Sequence, residues 1–364
     1  LTAQVLTPTG FRPLGTLAVN DLVIDPDGGT GNVEGIYPQG VKAVFRVTAT
    51  GGASTRCCDD HLWLVKNTKY RKLKKNAPQH VLPLRDLRSD LWDGVGPTRT
   101  HRWRLPVTHP VEFSARDELP IPPYLLGVLL GDGGLTGADI RFSSTDLFIV
   151  AQISSLLSPP MVIVKKKGDN CDYSIRSMFL RPHPLRSVPV ELDLCRKSED
   201  KSVPANYLKS SIENRLALLR GLMDTDGTVG TGKAEFSTTS FRLAKDVIDL
   251  TRSLGGIASI TDRITHYTYK GVKKAGRRSY RIFVRLPFNP FLLPRKANLW
   301  VPDRLALSLS SVEPDGEEEC VCIKVATKRN LYITDDYLVT HNTPTALCAI
   351  AETAEDSLPA LVVC

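Results

Sequence analysis

The chain has 364 residues, of which 42% are hydrophobic, and it carries a formal charge of +8. This length allows two or three domains, and the basic charge favours a polyanionic partner, although a merely soluble basic protein would carry the same charge. No apolar run is long enough to span a bilayer and the eight cysteines form no CxxC pair, which argues against a membrane protein, a disulfide framework and a zinc knuckle. We therefore expect a cytoplasmic protein without a membrane partner.

The first part of the chain is predicted to be all-β. Over residues 1–65, turn sequences rich in Pro, Gly and Asp separate runs such as AVFRVTAT, which is typical of short strands. From about residue 66 the composition becomes basic, with KNTKYRKLKK and RTHRWRL, which indicates an inserted arm or a small subdomain. We assign residues 1–110 to the first part of an all-β domain.

A duplicated motif dominates the middle of the chain, residues 112–300. LLGVLLGDG and LRGLMDTDG carry Asp132 and Asp226 in equivalent positions, with an offset of 226 − 132 = 94 residues. The segments that follow, IRFSSTD and AEFSTTS, repeat with the same offset. A single copy would be explained by a helix-ending turn, whereas two matching copies predict a pseudo-symmetric α+β domain with repeats at about 120–200 and 201–300.

Each motif is predicted to be a helix that ends at its aspartate. Small residues at i and i+4 (GVLLG and GLMDT) form a strip on one face of each helix, which lets two backbones approach closely. Pro122 and Pro123 suit the first turn of the first helix, and Ser210 with Glu213 resembles a capping box for the second. The later segments LFIVAQISSLL and FRLAKDVIDLTRSLG also have helical spacing.

The two aspartates indicate a metal site. Two close carboxylates are unfavourable unless a cation joins them, so Asp132 and Asp226 are candidate metal ligands and Mg²⁺ is the expected ion. Such a site can orient water and stabilise the leaving oxygen in phosphodiester hydrolysis. Its approximate two-fold symmetry suits duplex DNA.

The end of the chain changes character twice. CVCIKVAT and LYITDDYLVT are predicted strands, so residues 301–342 complete the all-β domain. In residues 343–364, TALCAIAETAE has helical spacing and PALVVC reads as a buried strand.

The tripeptide His341-Asn342-Thr343 between these segments carries a separate chemistry. An Asn amide can attack its own backbone carbonyl and cut the chain, a preceding His can donate protons, and a following Thr can hold an acyl group. The tripeptide is common by itself and gains weight only beside the other motifs.

The duplicated motifs resemble those of the LAGLIDADG homing endonucleases. The resemblance implies that Asp132 and Asp226, at the eighth motif position, are the catalytic acids. Leu130 replaces the sixth-position acid in the first copy, whereas Asp224 keeps it in the second. KSVPANYL resembles the family's block upstream of the second helix, which implies that Lys201 assists catalysis. A solvated surface lysine is the alternative.

With these repeats between two β-segments, the chain resembles an intein, in which a Hint-type splicing domain is interrupted by a homing endonuclease. VLTPTGFRPLGTLAVNDLVI resembles the N-terminal splicing block, and CIKVATKRNLYITDDYLVTHN resembles the two C-terminal blocks. CDDHLW resembles the block in which a histidine, here His61, activates the N-terminal peptide bond. Cys58 stands where threonine is usual, which weakens the expected hydrogen bonding. A structural role for His61 is the alternative.

Trp63, Cys322 and Thr343 match the signature of class three inteins. The resemblance implies that Cys322 attacks the upstream junction, that the acyl chain moves to Thr343, that Asn342 cyclises, and that an oxygen-to-nitrogen shift restores a peptide bond. No cofactor is expected for splicing. Core packing is the alternative role of Cys322 and Trp63. We expect Cys320 to lie on the other strand face, outside the site.

The host is expected to be a helicase. Residues 343–364 resemble the segment after the phosphate-binding loop of Swi/Snf-type helicases, so splicing would rebuild an ATP site. VLTPTG lies a few residues closer to the start of the chain than is expected for an N-terminal splicing block, so the first intein residues are expected to be missing. The expected partners are the flanking exteins and double-stranded DNA at the intein-less host-gene site, bound by a monomer. Candidate phosphate contacts are the basic runs around Tyr70, at Lys165-Lys166-Lys167 and near Lys273.

Two other functions stay open at this stage. One is a homing endonuclease whose splicing blocks have decayed, which the early N-terminal block favours and the intact His-Asn-Thr tripeptide disfavours. The other is a non-catalytic DNA-binding module, which the presence of both motif aspartates disfavours.

Overall fold

The computed structural model describes residues 1–69, 78–114, 118–135, 140–179, 187–269 and 271–342. Within them, the helices are α1 (Leu84–Arg88), α2 (Pro123–Asp132), α3 (Leu147–Leu156), α4 (Val188–Glu191), α5 (Ala205–Leu208), α6 (Ile212–Asp226), α7 (Phe241–Ser253) and α8 (Pro294–Ala297). The strands are β1 (Gln4–Thr7), β2 (Gly10–Pro13), β3 (Leu22–Ile24), β4 (Thr30–Ala49), β5 (Ser54–Cys58), β6 (Leu62–Asn67), β7 (Gln79–Pro83), β8 (Trp92–Asp93), β9 (Thr100–His101), β10 (Trp103–Leu105), β11 (Gly133–Gly134), β12 (Ile140–Ser143), β13 (Met161–Lys165), β14 (Asp172–Ser177), β15 (Gly227–Gly230), β16 (Lys233–Thr238), β17 (Ile257–Tyr269), β18 (Val272–Arg285), β19 (Leu307–Val325), β20 (Leu331–Thr334) and β21 (Leu338–His341).

The chain divides into two compact units. The first contains Leu1–Phe113 together with the chain from Ala306 onward, and the second contains Ser114–Leu305. The predicted fold class is confirmed, because the first unit consists almost entirely of strands and the second combines helices with two separate four-stranded sheets. None of the described helices is long and apolar enough to cross a membrane.

The first unit is built from both ends of the chain. The long strands β4 and β19 pair antiparallel from Val33↔Val325 to Ala49↔Leu309, and β1 pairs with β20. Side chains alternate between core and solvent over much of β4, because successive residues of a strand point to opposite faces. The splicing-type segments at the two chain ends therefore enter the same pair of sheets.

Part of the basic segment from residue 66 belongs to this β-structure. β10 pairs with β6 on one side and with β19 on the other, and β7 extends the sheet beyond β6. The run around Tyr70 lies outside the described residues.

The second unit repeats itself with the offset seen in the sequence. Its sheets have the orders β11-β12-β14-β13 and β15-β16-β18-β17. Gly133 pairs with Phe142 in the first and Gly227 pairs with Phe236 in the second, so each pair is displaced by 94 residues from the other. One hydrophobic core contains buried residues of both repeats, which makes the two halves a single folded body.

Most helix boundaries follow the sequence, with one correction. α2 has Pro122 as its N-cap and Pro123 as its first residue, as predicted. The predicted capping box at Ser210 is wrong by one residue, because Ser211 is the N-cap of α6 and accepts a hydrogen bond from the backbone N–H of Asn214. The Ser210 hydroxyl instead donates to the carbonyl of Tyr207.

Candidate functional site

The first unit contains a cavity of about 90 Å³ that gathers several predicted splicing residues. Cys322, His61 and Asn342 all contribute to its wall, although they come from distant parts of the chain. β19 supplies Cys322 opposite Tyr37 of β4, and Asn342 follows β21 directly. Thr343 lies outside the described residues.

Three further cysteines line the same cavity, namely Cys57, Cys58 and Cys320. The expectation that Cys320 lies outside the site is therefore wrong. Residues i and i+2 of a strand share a face, so Cys320 and Cys322 point to the same side of β19. Burial raises the pKa of the Cys57 thiol well above its usual range, which favours the protonated, unreactive form.

His61 is held between a hydroxyl and an indole. Its Nε2 lies 2.5 Å from the Thr340 hydroxyl, and its ring meets that of fully buried Trp63 edge to face with centroids 5.9 Å apart. Burial, and then the charge of His341, lower the pKa of His61 to about 4. The imidazole is therefore neutral at pH 7 and can serve as both hydrogen-bond donor and acceptor.

Asn342 is almost completely buried. Its side-chain nitrogen donates to the carbonyl of Val325 at 3.2 Å, and its backbone N–H donates to the carbonyl of Asn330 at 2.7 Å. Its Oδ1 and the Nδ1 of His341 are both buried without a hydrogen-bond partner among the described residues. Burial also lowers the pKa of His341. The side chain is thus fixed through its nitrogen next to the point where cleavage is predicted.

Sequence reasoning missed some residues that line this cavity. Lys42 forms a 3.0 Å ion pair with Asp60, and the pKa of Lys42 is raised first by that hydrogen bond, with smaller contributions from Cys58 and Cys322. Thr340 is the hydrogen-bond partner of His61. A single lysine or threonine in a strand carries no spacing signal, so these roles appear only when the strands are paired.

In the second unit, the acid-bearing helices α2 and α6 pack backbone to backbone. A Cβ on Gly127 would lie 2.3 Å from the carbonyl oxygen of Leu218, and a Cβ on Gly221 would lie 2.2 Å from that of Tyr124. The predicted close approach at the small-residue strips is confirmed. A Cβ on Gly131 would also lie 3.3 Å from a carboxylate oxygen of Asp226.

Both helices end at their aspartates, and each aspartate is followed by a glycine that backbone conformation does not require. Gly133 and Gly227 have φ values of −93° and −82°, so neither adopts the left-handed conformation common at helix ends. A Cβ on either glycine would lie 2.3 Å from a carbonyl oxygen of the preceding turn. Glycine is required at both positions because a side chain would clash with this oxygen.

The environment of the two acids disfavours their charges. Burial, and then the charge of Asp132, raise the pKa of Asp226 to about 6, and burial also raises the pKa of Asp132. The charges of Lys201 and Lys296 act in the opposite direction on both acids. The two carboxylates are therefore close enough for the charge of Asp132 to act on Asp226.

Lys201 is buried, with 8% of its surface exposed, so the alternative of a solvated surface lysine is wrong. Its ammonium group caps the end of α2 and donates to the carbonyls of Leu130, Gly131 and Gly133 at 2.8, 3.1 and 3.1 Å. Cations stabilise helix C-termini, where carbonyl groups lack partners within the helix.

Lys296 occupies the equivalent place at the end of α6, and sequence reasoning missed it. It is 7% exposed, and its ammonium donates to the carbonyls of Met223, Asp224 and Thr225 at 3.0, 2.7 and 3.1 Å. Burial, and then the charge of Arg295, lower its pKa to about 8. The repeat offset applied to Lys201 gives 201 + 94 = 295, one residue away, so this signal was present.

Asp224, the sixth-position acid of the second motif, has a structural role. Its carboxylate accepts a hydrogen bond from the Tyr124 hydroxyl at 2.8 Å and from the backbone N–H groups of Leu292 and Leu293, both at 3.1 Å. It thereby fixes the segment that leads into Lys296.

Comparisons with known proteins found one family match and several similar proteins. A family profile described as a LAGLIDADG-like domain matches residues 213–286. A curated relative, named replicative DNA helicase DnaB, from Mycobacterium intracellulare, is 26% identical over 94% of this chain, and the chain spans 58% of that relative's length.

Two solved structures are similar in part. One is the MchDnaB-1 intein (N145AA), at 9% identity and a TM-score of 0.27, covering 94% of this chain and 98% of that one. The other is I-DmoI in complex with DNA and Ca, at 15% identity and a TM-score of 0.31, covering 49% of this chain and 95% of that one. The family match lies within the second unit and supports a domain of the LAGLIDADG type there.

Proposed function

We propose that the first unit excises itself from a host protein by class three splicing and that the second unit cuts double-stranded DNA at the intein-less host-gene site. The observation that supports splicing is the convergence of Cys322, His61 and Asn342 on one cavity. The observation that supports cleavage is the acid pair at the ends of two helices in backbone contact.

In the first splicing step, the Cys322 sulfur attacks the carbonyl carbon of the upstream junction. A thioester bond forms, the peptide C–N bond breaks, and the departing amine gains a proton. Neutral His61 suits this exchange, because one ring nitrogen can accept a proton while the other donates. Lys42 contributes a positive charge to the same cavity, and this charge interacts with Cys322.

The later steps release the domain. The Thr343 hydroxyl attacks the thioester, so the acyl chain moves from sulfur to oxygen and the thiol of Cys322 is regenerated. The Asn342 side-chain nitrogen then attacks its own backbone carbonyl, which forms a succinimide and breaks the bond to Thr343. His341, beside that bond, would supply the proton to the leaving nitrogen. The ester then rearranges to a peptide bond.

The residues of the second unit fit a divalent cation. Asp132 and Asp226 offer hard carboxylate oxygens, and burial raises the pKa of both acids, an effect that a bound cation would offset. We propose Mg²⁺, which when bound would supply an activated water and stabilise the leaving oxygen of a phosphodiester. Lys201 and Lys296 fix the two helix ends that carry these carboxylates.

The strands of the second unit would supply the DNA surface. On β16 and β18, Phe236 and Ile282 face the core, so their neighbours Glu235 and Arg281 lie on the opposite face, where they form a 2.6 Å ion pair. On β12, Arg141 lies on the equivalent outer face. We propose that such outer-face residues contact base edges, because a two-stranded ribbon fits the major groove.

The remaining assignments follow from the same proposal. The splicing domain would comprise residues 1–110 and 301–342, the endonuclease 112–300, and the downstream extein 343–364. The extein segment lies outside the described residues. A Swi/Snf-type host remains our proposal, and the curated relative is named as a helicase of a different type. We further propose a cytoplasmic monomer whose basic runs, including Lys165-Lys166-Lys167, contact DNA phosphates.

Intact-mass analysis would test the splicing proposal. The chain is expressed with upstream residues and a short N-extein restored, beside a Cys322→Ala variant. We expect ligated exteins from the parent and none from the variant. Ligation in both would place the nucleophile elsewhere, and ligation in neither would favour an endonuclease whose splicing has decayed.

DNA cleavage is tested separately. Plasmid DNA that carries the rejoined host gene is incubated with the protein and Mg²⁺, beside Asp132→Asn. We expect cutting by the parent and loss of cutting by the variant. Equal cutting by both would refute the metal assignment, and binding without cutting by the parent would favour the non-catalytic DNA-binding module.

A further inference from the structure

The backbone that carries Lys201 is anchored to helix α7 at two points. The Ser240 hydroxyl donates to the carbonyl of Lys201 at 2.6 Å, and the Asp246 carboxylate accepts from the backbone N–H of Val203 at 2.7 Å. Ser240 is fully buried and also caps α7, where it accepts from the N–H of Leu243. Neither Ser240 nor Asp246 contacts the acid pair directly in any hydrogen bond of the described residues.

The anchoring is repeated in the other half. Asp146 lies 240 − 146 = 94 residues before Ser240 and is the N-cap of α3. Its second carboxylate oxygen accepts from the Nε of Arg295 at 3.0 Å, next to Lys296. Equivalent N-cap residues of equivalent helices therefore hold the two lysine-bearing segments.

The two anchors run crosswise between the repeats. Lys201 caps α2 of the first repeat and is anchored to α7 of the second. Lys296 caps α6 of the second repeat, and its neighbour is anchored to α3 of the first. Each lysine thereby ties an acid-bearing helix end to the opposite half of the unit.

We propose that Asp246 and Ser240 are positioning residues for DNA cleavage, which act by fixing the Lys201 ammonium group at the end of α2. This inference rests on the proposed endonuclease function. The ammonium group makes its hydrogen bonds only where the carbonyls of α2 converge, so a shift of the Lys201 backbone breaks several of them together. A misplacement of about 1 Å in a catalytic site can cost on the order of 100-fold in rate.

The test compares Asp246→Ala and Ser240→Ala with the parent. Asp246→Asn keeps an acceptor oxygen, and Glu213→Gln, at an exposed acid on α6, is the matched control. Single-turnover nicking is measured with Mg²⁺, and DNA affinity with Ca²⁺ by fluorescence anisotropy. We expect the alanine variants to lose about 10- to 100-fold in rate with affinity within about twofold of the parent, Asp246→Asn to lose less, and the control to lose nothing.

A double variant separates positioning from a general loss of stability. Because Asp246 acts through Lys201, adding Asp246→Ala to Lys201→Met is expected to cause no further loss of rate. Losses that multiply in the double variant, or alanine variants that cut like the parent, would overturn the inference.

A measurement without DNA keeps the inference testable if the parent does not cut. Burial lowers the pKa of Lys201. NMR of isotopically labelled lysine side chains is expected to show this pKa moving toward its ordinary value in Asp246→Ala, because a released ammonium group becomes hydrated. An unchanged pKa would refute the positioning role, whereas absence of cutting by the parent alone would refute only the proposed endonuclease.

Discussion

Gly127→Ala should separate the two acid-bearing helices. The new Cβ would lie 2.3 Å from the carbonyl oxygen of Leu218 and 2.8 Å from the backbone nitrogen of Leu222. Both neighbours are backbone atoms of α6, which cannot turn aside as a flexible side chain would. An ordinary contact needs about 3.4 Å or more, so the helices must move apart by roughly 1 Å. Overpacking of this kind costs roughly 1–3 kcal/mol.

Differential scanning calorimetry checks the stability part of this prediction. For a unit of this size, 1 kcal/mol corresponds to roughly 2–4 °C, so the melting temperature of the second unit should fall by roughly 2–12 °C. DNA nicking should fall as well, because the helix ends carry Asp132 and Asp226. Gly230→Ala is the matched control, since a Cβ there meets nothing within 4 Å. A Gly127→Ala variant that melts and cuts like the control would refute the packing argument.

Three other substitutions test separate parts of the structure. Because the pKa of Asp226 is raised to about 6, the free energy of unfolding is highest below about pH 4 and falls as the pH rises through 6, by at most about 3 kcal/mol. Asp226→Asn should therefore raise the melting temperature of the metal-free protein at pH 8 but not at pH 4. Cys322→Ala should abolish ligation in an intact-mass assay while Cys320→Ala retains it, and equal losses would contradict the assignment. Lys296→Met leaves carbonyls at the end of α6 unpaired, so it should lower the melting temperature by an amount equivalent to roughly 1–3 kcal/mol and slow nicking; unchanged melting would refute the capping role.

The acid pair and its helices could be predicted because their information is local and repeated. Glycines four residues apart define a helix face, and a second copy 94 residues later defines its partner. The paired registers Gly133↔Phe142 and Gly227↔Phe236 reproduce that offset in the sheets. Because the motif is duplicated, a weak local pattern also predicts which two helices pack against each other.

The repeat offset indicates Lys296, but the roles of the supporting residues could not be predicted, because their partners are distant in sequence and are often backbone atoms. The carbonyls that accept from Lys296 lie about 70 residues earlier, and Thr340 lies 279 positions from its partner His61. Carbonyl acceptors have no sequence signature. Cys320 is a different case, because the two-residue period of a strand places it on the same face as Cys322.

The topology explains how one chain can hold two separate sites. β10 and β19 are neighbours in the same sheet, with Leu105 opposite Leu307. The chain therefore leaves the first unit after β10 and returns to it at the strand that pairs with β10. Each unit keeps its own hydrophobic core. The cavity around Cys322 depends on β4, β5, β19 and β21, and none of these strands contains a residue of the acid pair or its lysine caps. Substitutions in one site should therefore leave the fold of the other intact, which is why splicing and DNA cleavage can be tested independently in the same protein.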